Sequence, residues 1–346
     1  MRRPAFAVIL PLLSLSCTSS KSRPIPVKVV VVTMFEPGAD TGDEPGEFQN
    51  WVEHEKLDRV FQFPQGFHDL RMSSDGVLGT VTGVGTAQAA ASIMALGLDP
   101  RFDLTKAYWV VAGIAGVDPE DASLGSAAWA EWVVDGDLGH EIDAREIPKN
   151  WKTGYVPLRK SVPYEQPRQT EAQGTFHLQP ALVNWAVRLT QDVALQDTGA
   201  MQKERMQFAS ANARRPPFVL KGDTISGSTF WHGKLFSQWA NDWVQYHTGG
   251  MGNYVTTGME DTGTLQSLEF LAKAGRVDAN RVLILRTASD FDQPVPGETP
   301  AHSLARAKIG KYTGYAPAVD AAWRVGRVVV SELVKNWDRY RDKMPD

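Results

Sequence analysis

Two carboxylates follow apolar runs, at positions where a sheet edge could bring them to a ligand. Glu36 comes directly after the β-branched run that ends at Met34, and a Pro-Gly pair then predicts a turn. Asp290 closes residues 286–290, which follow another apolar run. Open α/β sheets bind ligands beyond the carboxyl ends of their strands. Both groups are therefore candidate site residues. Burial is expected to raise the pKa of Asp290. The alternative interpretation of Glu36 is a solvated carboxylate in a loop.

A glycine-rich turn is the next candidate contact. Gly83, Gly85 and Thr86 lie between an apolar run and an Ala-rich stretch. Glycines between a strand and a helix let backbone N–H groups approach a phosphate or a sugar hydroxyl, although close helix–sheet packing explains them equally well. The third glycine of the dinucleotide fingerprint and the Lys of a phosphate-binding loop are both missing. We therefore predict no dinucleotide-binding site and no nucleoside-triphosphate-binding site. No cofactor of any kind is predicted.

Other chemistry-bearing patterns are weaker. The seven His residues show no metal-ligand spacing, so no metal site is predicted. The nucleophile elbow Gly-x-Ser-x-Gly is absent. His232 could contact a sugar, and Trp231 with Trp239 or Trp243 could line a cleft, but core or surface positions explain all four.

The elements that must position these residues follow an alternating order. Buried strands are predicted over Val27–Met34, Val77–Thr82, Ala107–Ile114, Ser126–Val134 and Arg281–Thr287. Helices are predicted over Gly85–Leu98, near Leu178–Asp197 and from about Pro317 onwards. This alternation predicts one α/β domain over residues 25–342, a twisted mixed sheet with helices on both faces. Residues 145–215 break the rhythm and are interpreted as an insertion, which is either a lid or a structural elaboration.

Composition limits the classes of partner. The 346 residues are 42% hydrophobic and 22% charged, as in ordinary globular proteins, and the formal net charge is −4. Because no segment has a basic excess, a nucleic-acid partner is not expected. After the N-terminal leader, no segment approaches the roughly 18 apolar residues of a transmembrane helix.

The N-terminus has the pattern of an export signal. Two arginines precede the apolar run Ala5–Leu15, and small residues follow around Cys17. We therefore predict a signal peptide over residues 1–20 and an exported, periplasmic protein if the source is bacterial. A single Cys after such a run resembles a lipoprotein signal, but Ser14 stands where Leu is usual. Lipidation of Cys17 and simple cleavage both remain open, and a lipid anchor there is the one membrane contact expected.

Taken in order, the segments resemble the nucleoside phosphorylase/nucleosidase superfamily. Its order is a functional strand exit, Gly-x-Gly opening a helix, a strand ending in Ala-Gly, a Gly-Asp loop with Phe, a Met-Glu pair and a closing Arg-x-x-Ser-Asp. These are matched here by residues 33–38, 82–89, 112–116, 222–230, 258–261 and 286–290. Within the superfamily, the stretches VVVTMFEP, TFWHG and MEDTGTL are similar to the group named purine nucleoside permeases.

The resemblance implies a three-layer phosphorylase-like fold and a role for each matched residue. Met259 and Glu260 would bind the ribose hydroxyls, because a carboxylate accepts two O–H bonds that strengthen as the sugar gains positive charge. Asp290 would protonate purine N7 and Ser289 would orient it. Phe230 would lie against the base, with ordinary core packing as its alternative.

Three functions remain open on this scaffold. Phosphorylases of the superfamily carry Arg in the first-strand exit and near Gly-x-Gly, where this sequence has none, whereas nucleosidases carry a Glu after the first strand, as Glu36 does here. Hydrolysis of the N-glycosidic bond of purine nucleosides, with Glu36 activating water, is therefore favoured. Phosphorolysis remains open, because Arg71, Arg286 or arginines of the insertion could reach a phosphate. A non-catalytic nucleoside-binding component of uptake is the third reading, and an oligomer is possible in each.

Overall fold

The computed structural model describes residues 23–166, 173–306 and 312–346. Its strands are β1 (Ile25–Pro26), β2 (Val29–Thr33), β3 (Arg59–Phe61), β4 (Leu70–Met72), β5 (Val77–Val81), β6 (Phe102–Asp103), β7 (Tyr108–Val117), β8 (Ala127–Ala130), β9 (Trp132–Asp135), β10 (Gly139–Glu141), β11 (Tyr155–Pro157), β12 (Thr175–His177), β13 (Val219–Lys221), β14 (Asp223–Ser226), β15 (Tyr254–Gly258) and β16 (Val282–Phe291). Its helices are α1 (Gln49–His54), α2 (Thr86–Leu98), α3 (Pro180–Thr190), α4 (Gly199–Arg205), α5 (Ala211–Arg214), α6 (Lys234–His247), α7 (Asp261–Lys273), α8 (Pro300–Arg306), α9 (Tyr315–Lys335) and α10 (Trp337–Tyr340). The predicted signal peptide and Cys17 lie outside the described residues.

A 12-stranded mixed sheet forms the centre of the molecule. Its main path runs β12-β9-β14-β15-β7-β2-β5-β4-β3, while β16 pairs with β7 and β8, and β13 pairs with β8. The long strands β7 and β16 run parallel along most of their length. Strand β2 lies between β5 and β7 and is parallel to both. Because β2, β5, β7 and β16 run in one direction, their carboxyl ends meet at one edge of the sheet.

Helices cover both faces of this sheet, and the predicted three-layer α/β fold is confirmed. Every residue of β2 is buried, which a run of valines covered on both sides satisfies. Helices α2 and α7 pack tightly together, because a Cβ at Gly97 would lie 2.1 Å from the Leu271 side chain. Helix α9 packs on β16 and β7. Its buried side is rich in small and β-branched residues, such as Ala318, Ala322, Val325 and Val329.

The strand predicted over Ser126–Val134 is two strands, which corrects the sequence prediction. Strand β8 pairs with β16, whereas β9 pairs with β14. Between them, the N–H groups of Glu131 and Trp132 donate to Oδ1 of Asp223, at 3.1 and 2.8 Å. This buried carboxylate takes the place of ladder partners at the break, so the chain can change partners without leaving buried N–H groups unsatisfied.

The strand predicted over Arg281–Thr287 extends further, to Phe291, so Asp290 lies inside β16 and not beyond it. The register against β7 shifts between Ala288 and Asp290. Such an irregularity re-aims side chains next to functional sites.

The described part of residues 145–215 adds an edge strand to the sheet and a helix that packs beside it. Strand β12 pairs antiparallel with β9, and α3 contacts α9 and β13. Helix α3 ends at Thr190, earlier than the predicted Asp197. Within the described residues, no helix is long and apolar enough to cross a membrane.

Candidate active site

The side chain of Glu260 connects the Met-Glu pair to the Gly-x-Gly turn, although Gly85 and Glu260 lie 175 residues apart in the sequence. Its Oε1 accepts the N–H of Gly85 at 3.0 Å, and its Oε2 accepts Nη2 of Arg286 at 3.0 Å. The residue as a whole is only 4% exposed. The carboxylate is therefore held by one bond on each oxygen, and each oxygen keeps a second lone pair for a ligand hydroxyl.

The hydrogen bonds of the Arg286 guanidinium go to groups of the protein itself. Its Nε and Nη2 bind Asp261 at 2.6 to 3.1 Å, and its Nη1 donates to the carbonyl of Ile114 at 3.1 Å. Arg286 and Asp261 are both buried. A buried guanidinium surrounded by acceptors in this way is a fixed charge that orients Glu260. The sequence had left it open as a phosphate ligand, and this geometry does not favour that role.

The Gly-x-Gly turn closes over the start of α7. Gly83 and Gly85 have φ angles of +82° and +91°, which L side chains rarely adopt. Thr86 Oγ1 donates to the carbonyl of Met259 at 3.2 Å, and the Thr86 N–H donates to Oγ of Ser228 at 3.1 Å. The turn, the Met-Glu pair and the 227–233 loop thus meet at one point.

Glu47 is a site residue that the sequence reasoning missed. It is 2% exposed, and its carboxylate accepts the N–H groups of Met34 at 2.8 Å and Ile114 at 2.7 Å. Burial raises its pKa to about 8, opposed by the charge of Arg286 and assisted by that of Glu260. A Cβ at Gly113 would lie 2.5 Å from Oε1 of Glu47, so glycine leaves the room for this carboxyl group.

Glu36 lies in the loop after β2 but turns its carboxylate onto its own chain. It accepts three backbone N–H groups, from Gly46 at 2.6 Å, Phe48 at 2.8 Å and Gln49 at 2.6 Å. Burial nonetheless raises its pKa. These bonds hold the loop that leads to Glu47 and the start of α1, and they turn the Glu36 carboxylate towards its own backbone. Glu47, by contrast, lies within range of the charges of Glu260 and Arg286.

Asp290 lines a cleft with a cavity volume of about 120 Å³, which we call the base cleft. Oγ of Ser289 donates to Oδ1 of Asp290 at 2.7 Å. The exposed side chain of Phe230 and Tyr312 also line this cleft. Burial raises the pKa of Asp290 to about 7, against the lowering effect of the Ser289 hydroxyl. The raised pKa favours the protonated form of this carboxyl group, which can donate a proton to a ligand in the cleft.

The Gly222-Asp223 part of the matched loop lies at the opposite end of β14 from Phe230. Asp223 starts β14 and accepts backbone N–H groups at the β8–β9 break, whereas Phe230 follows the other end of the same strand. The six residues between them are the rest of the strand and its exit turn. Asp223 is therefore a structural residue, and the segment after Ser226 is the part that reaches the site.

The structure places the other residues that the sequence singled out in contacts that do not include Glu47 or Glu260. Arg71 is paired with Asp40, which also contacts His68 at 2.9 Å. His232 lines the base cleft, and its Nε2 lies 3.0 Å from Oγ of Ser303. A cluster of aromatic residues around α6 contains the other three, Trp231, Trp239 and Trp243. Within the described residues, no group of His, Cys, Asp and Glu side chains is arranged to hold a metal ion.

Comparisons with known sequences find a matching family and relatives that carry its name. The family model described as "Purine nucleoside permease" matches residues 26–345. A protein named as a probable purine nucleoside permease from Schizosaccharomyces pombe is 31% identical over 325 residues, which are 90% of each chain. A purine nucleoside permease of Candida albicans is 30% identical over 262 residues, 75% of this chain and 64% of that one.

Solved structures show the same fold at low identity. A 5'-methylthioadenosine/S-adenosylhomocysteine nucleosidase from Neisseria meningitidis has a TM-score of 0.51 and 15% identity, covering 88% of this chain and 99% of its own. A futalosine hydrolase of Helicobacter pylori has a TM-score of 0.53 and 12% identity, covering 89% and 97%. The likeness to these nucleosidases establishes the fold.

Proposed function

Because the chain belongs to the purine nucleoside permease family, we propose that it binds purine nucleosides and hydrolyses their N-glycosidic bond. The observation that carries this proposal is the position of Asp290 in the base cleft. A carboxyl group with a pKa of about 7, oriented by Ser289 in a cleft that Phe230 also lines, suits donation of a proton to a purine nitrogen. The base then leaves as a neutral molecule, which lowers the barrier to cleavage of the C–N bond.

The sugar would be held by Glu260. As the glycosidic bond breaks, positive charge develops on the ribose, and hydroxyl groups bonded to a carboxylate donate more strongly to it. Glu260 is held in place for this by Gly85 and Arg286. The interaction grows from ground state to transition state, so it contributes to rate and not merely to affinity.

Water activation is assigned to Glu47 in this proposal, in place of Glu36. Glu47 lies near enough to Glu260 and Arg286 for their charges to act on its pKa. In its ionised form it accepts a proton from water as that water attacks the anomeric carbon. The oxygen–carbon bond forms, the C–N bond breaks, the water proton passes to Glu47, and the proton of Asp290 passes to the base.

Hydrolysis is preferred to phosphorolysis on grounds of charge. A phosphate dianion beside Glu47, Glu260 and Asp290 would need strong cationic compensation. Two arginines named from the sequence already have carboxylate partners, since Arg286 binds Asp261 and Glu260, and Arg71 binds Asp40. Identification of the sugar product with and without phosphate tests the proposal. Export, with cleavage or lipidation at Cys17, remains part of the proposal, and mass spectrometry of the mature N-terminus tests it.

A further inference from the structure

The insertion contributes a carboxylate to the wall of the base cleft. Glu204 lies near the end of α4, partly exposed, and lines the cleft together with Asp290, Phe230 and Tyr312. Nothing in the sequence motifs pointed to it, because the insertion has no counterpart in their order. The cleft is therefore bounded by the α/β core on the Asp290 side and by the insertion on the Glu204 side.

The position of Glu204 is built into the fold. Thr313 Oγ1, from the segment that leads into α9, donates to Oε2 of Glu204 at 2.5 Å. The next residue on α4, Arg205, is buried and forms an ion pair with Asp197, which anchors the helix to its own loop. A carboxylate held in this way by both the helix and Thr313 is oriented as a hydrogen-bond acceptor at the cleft wall.

The chemistry of the purine ring indicates which bases such an acceptor would favour. In adenine the 6-amino group neighbours N7, whereas in guanine that place is taken by an acceptor, O6. A base with N7 against Asp290 therefore presents its N1 and C2 edge to another wall of the cleft. On that edge guanine offers N1–H and a 2-amino group, hypoxanthine offers N1–H, and adenine offers the N1 lone pair. An ionised carboxylate accepts from the first two and repels the third.

We propose that Glu204 is a specificity-determining residue that accepts hydrogen bonds from the N1–H edge of 6-oxopurines. The protein then prefers guanosine and inosine to adenosine. This inference rests on the proposed binding of purine nucleosides with N7 at Asp290. A site whose carboxylate meets an acceptor in the wrong base discriminates by more than a site that merely loses an apolar contact.

Glu204 has a second effect on the same cleft. Its negative charge contributes to the raised pKa of Asp290. Removal of that charge therefore shifts the pKa of Asp290 downwards, and with it the alkaline limb of the pH–rate profile. A residue with a purely structural role would not move this limb, so the profile separates the two roles.

The test compares wild type with Glu204→Gln, using guanosine and adenosine. Equilibrium dialysis gives Kd without any chemistry, and kcat/KM is measured for the same pair. Gln can donate an amide N–H to N1 of adenine, so we expect the guanosine-to-adenosine preference to fall by about ten-fold or more. Glu269→Gln, on an exposed position of α7, controls for loss of one negative charge. Thr313→Val, which frees the carboxylate, should lower the preference by a smaller factor.

The outcomes separate this inference from the proposed function. If wild type binds guanosine more tightly than adenosine and Glu204→Gln abolishes the difference, the assignment of Glu204 stands even where no cleavage is found. If both proteins cleave nucleosides with the same preference, the assignment is wrong and the proposed function stands. An equal change in Glu269→Gln also overturns the assignment. If wild type neither binds nor cleaves either nucleoside, both fail.

Discussion

The N–H of Gly85 donates to Oε1 of Glu260 at 3.0 Å, across 175 residues of sequence. This bond joins the turn that opens α2 to the residue that precedes α7, and Arg286 holds the other carboxylate oxygen. The two segments thus hold the carboxylate of Glu260 in place as a hydrogen-bond acceptor at the sheet edge. The predictions below concern that acceptor and the carboxyl groups of Asp290 and Glu47.

Replacement of Glu260 by Gln should impair ribosides more than 2'-deoxyribosides. The amide offers one acceptor oxygen in place of two, and its NH₂ group would face either the Gly85 N–H or the Arg286 guanidinium. We expect kcat/KM for guanosine to fall by about 100-fold, with a smaller loss for 2'-deoxyguanosine. The ratio of the two kcat/KM values is the measurement. Equal, small losses for both substrates would show that Glu260 does not hold the sugar.

Replacement of Asp290 by Asn should remove the proton donor and leave the cleft intact. General acid catalysis contributes about 10²–10⁴-fold, so kcat should fall within that range while nucleoside Kd changes little. Any residual activity should no longer decline at high pH, because that decline reflects deprotonation of Asp290. Steady-state kinetics over pH and equilibrium dialysis measure both effects. Turnover near the wild-type level in Asp290→Asn would remove Asp290 from the acid role.

The wild-type pH profile should be a bell with its maximum near pH 7.5. Activity requires Asp290 protonated and Glu47 ionised, and their pKa values are about 7 and about 8. Below pH 7 the rate falls because Glu47 gains a proton, and above pH 8 it falls because Asp290 loses one. Between these values only a minor fraction of the protein carries the active pair of protonation states. A kcat/KM that rises without limit to pH 10 would exclude Asp290 as the acid.

Two matched substitutions separate the base from its supporting residue. Glu47→Gln should lower kcat by about 10²–10⁴-fold, since an amide cannot take a proton from water. Glu36→Gln should lower kcat only a few-fold, but it weakens an acceptor of three backbone N–H groups and should cost about 1–3 kcal/mol of unfolding free energy. Kinetics and denaturant unfolding of both variants are needed. A large kcat loss in Glu36→Gln with an unaffected Glu47→Gln would reverse the assignment.

Local patterns in the sequence were enough for the fold, because runs such as Val29–Thr33 are apolar throughout and the segments between them have helical spacing. They were also enough to single out Asp290, which follows an apolar run, whereas Glu260 was found only through the resemblance of its Met-Glu pair to the superfamily. Glu47 could not be found in this way, since it is one of several carboxylates between Glu36 and Glu55 and only long-range packing buries it. The break at Glu131 depends likewise on Asp223, 92 residues away.

The central claim is hydrolysis, and the sugar product tests it most directly. Purified protein is incubated with guanosine, inosine and adenosine in phosphate-free buffer, and again with phosphate, and the sugar is identified by mass spectrometry. We predict free ribose in equal amount to free base, at the same rate in both buffers. Ribose 1-phosphate formed only when phosphate is present would contradict hydrolysis and indicate a phosphorylase. Binding of nucleosides with no sugar product in either buffer would contradict catalysis altogether and favour a nucleoside-binding component of uptake.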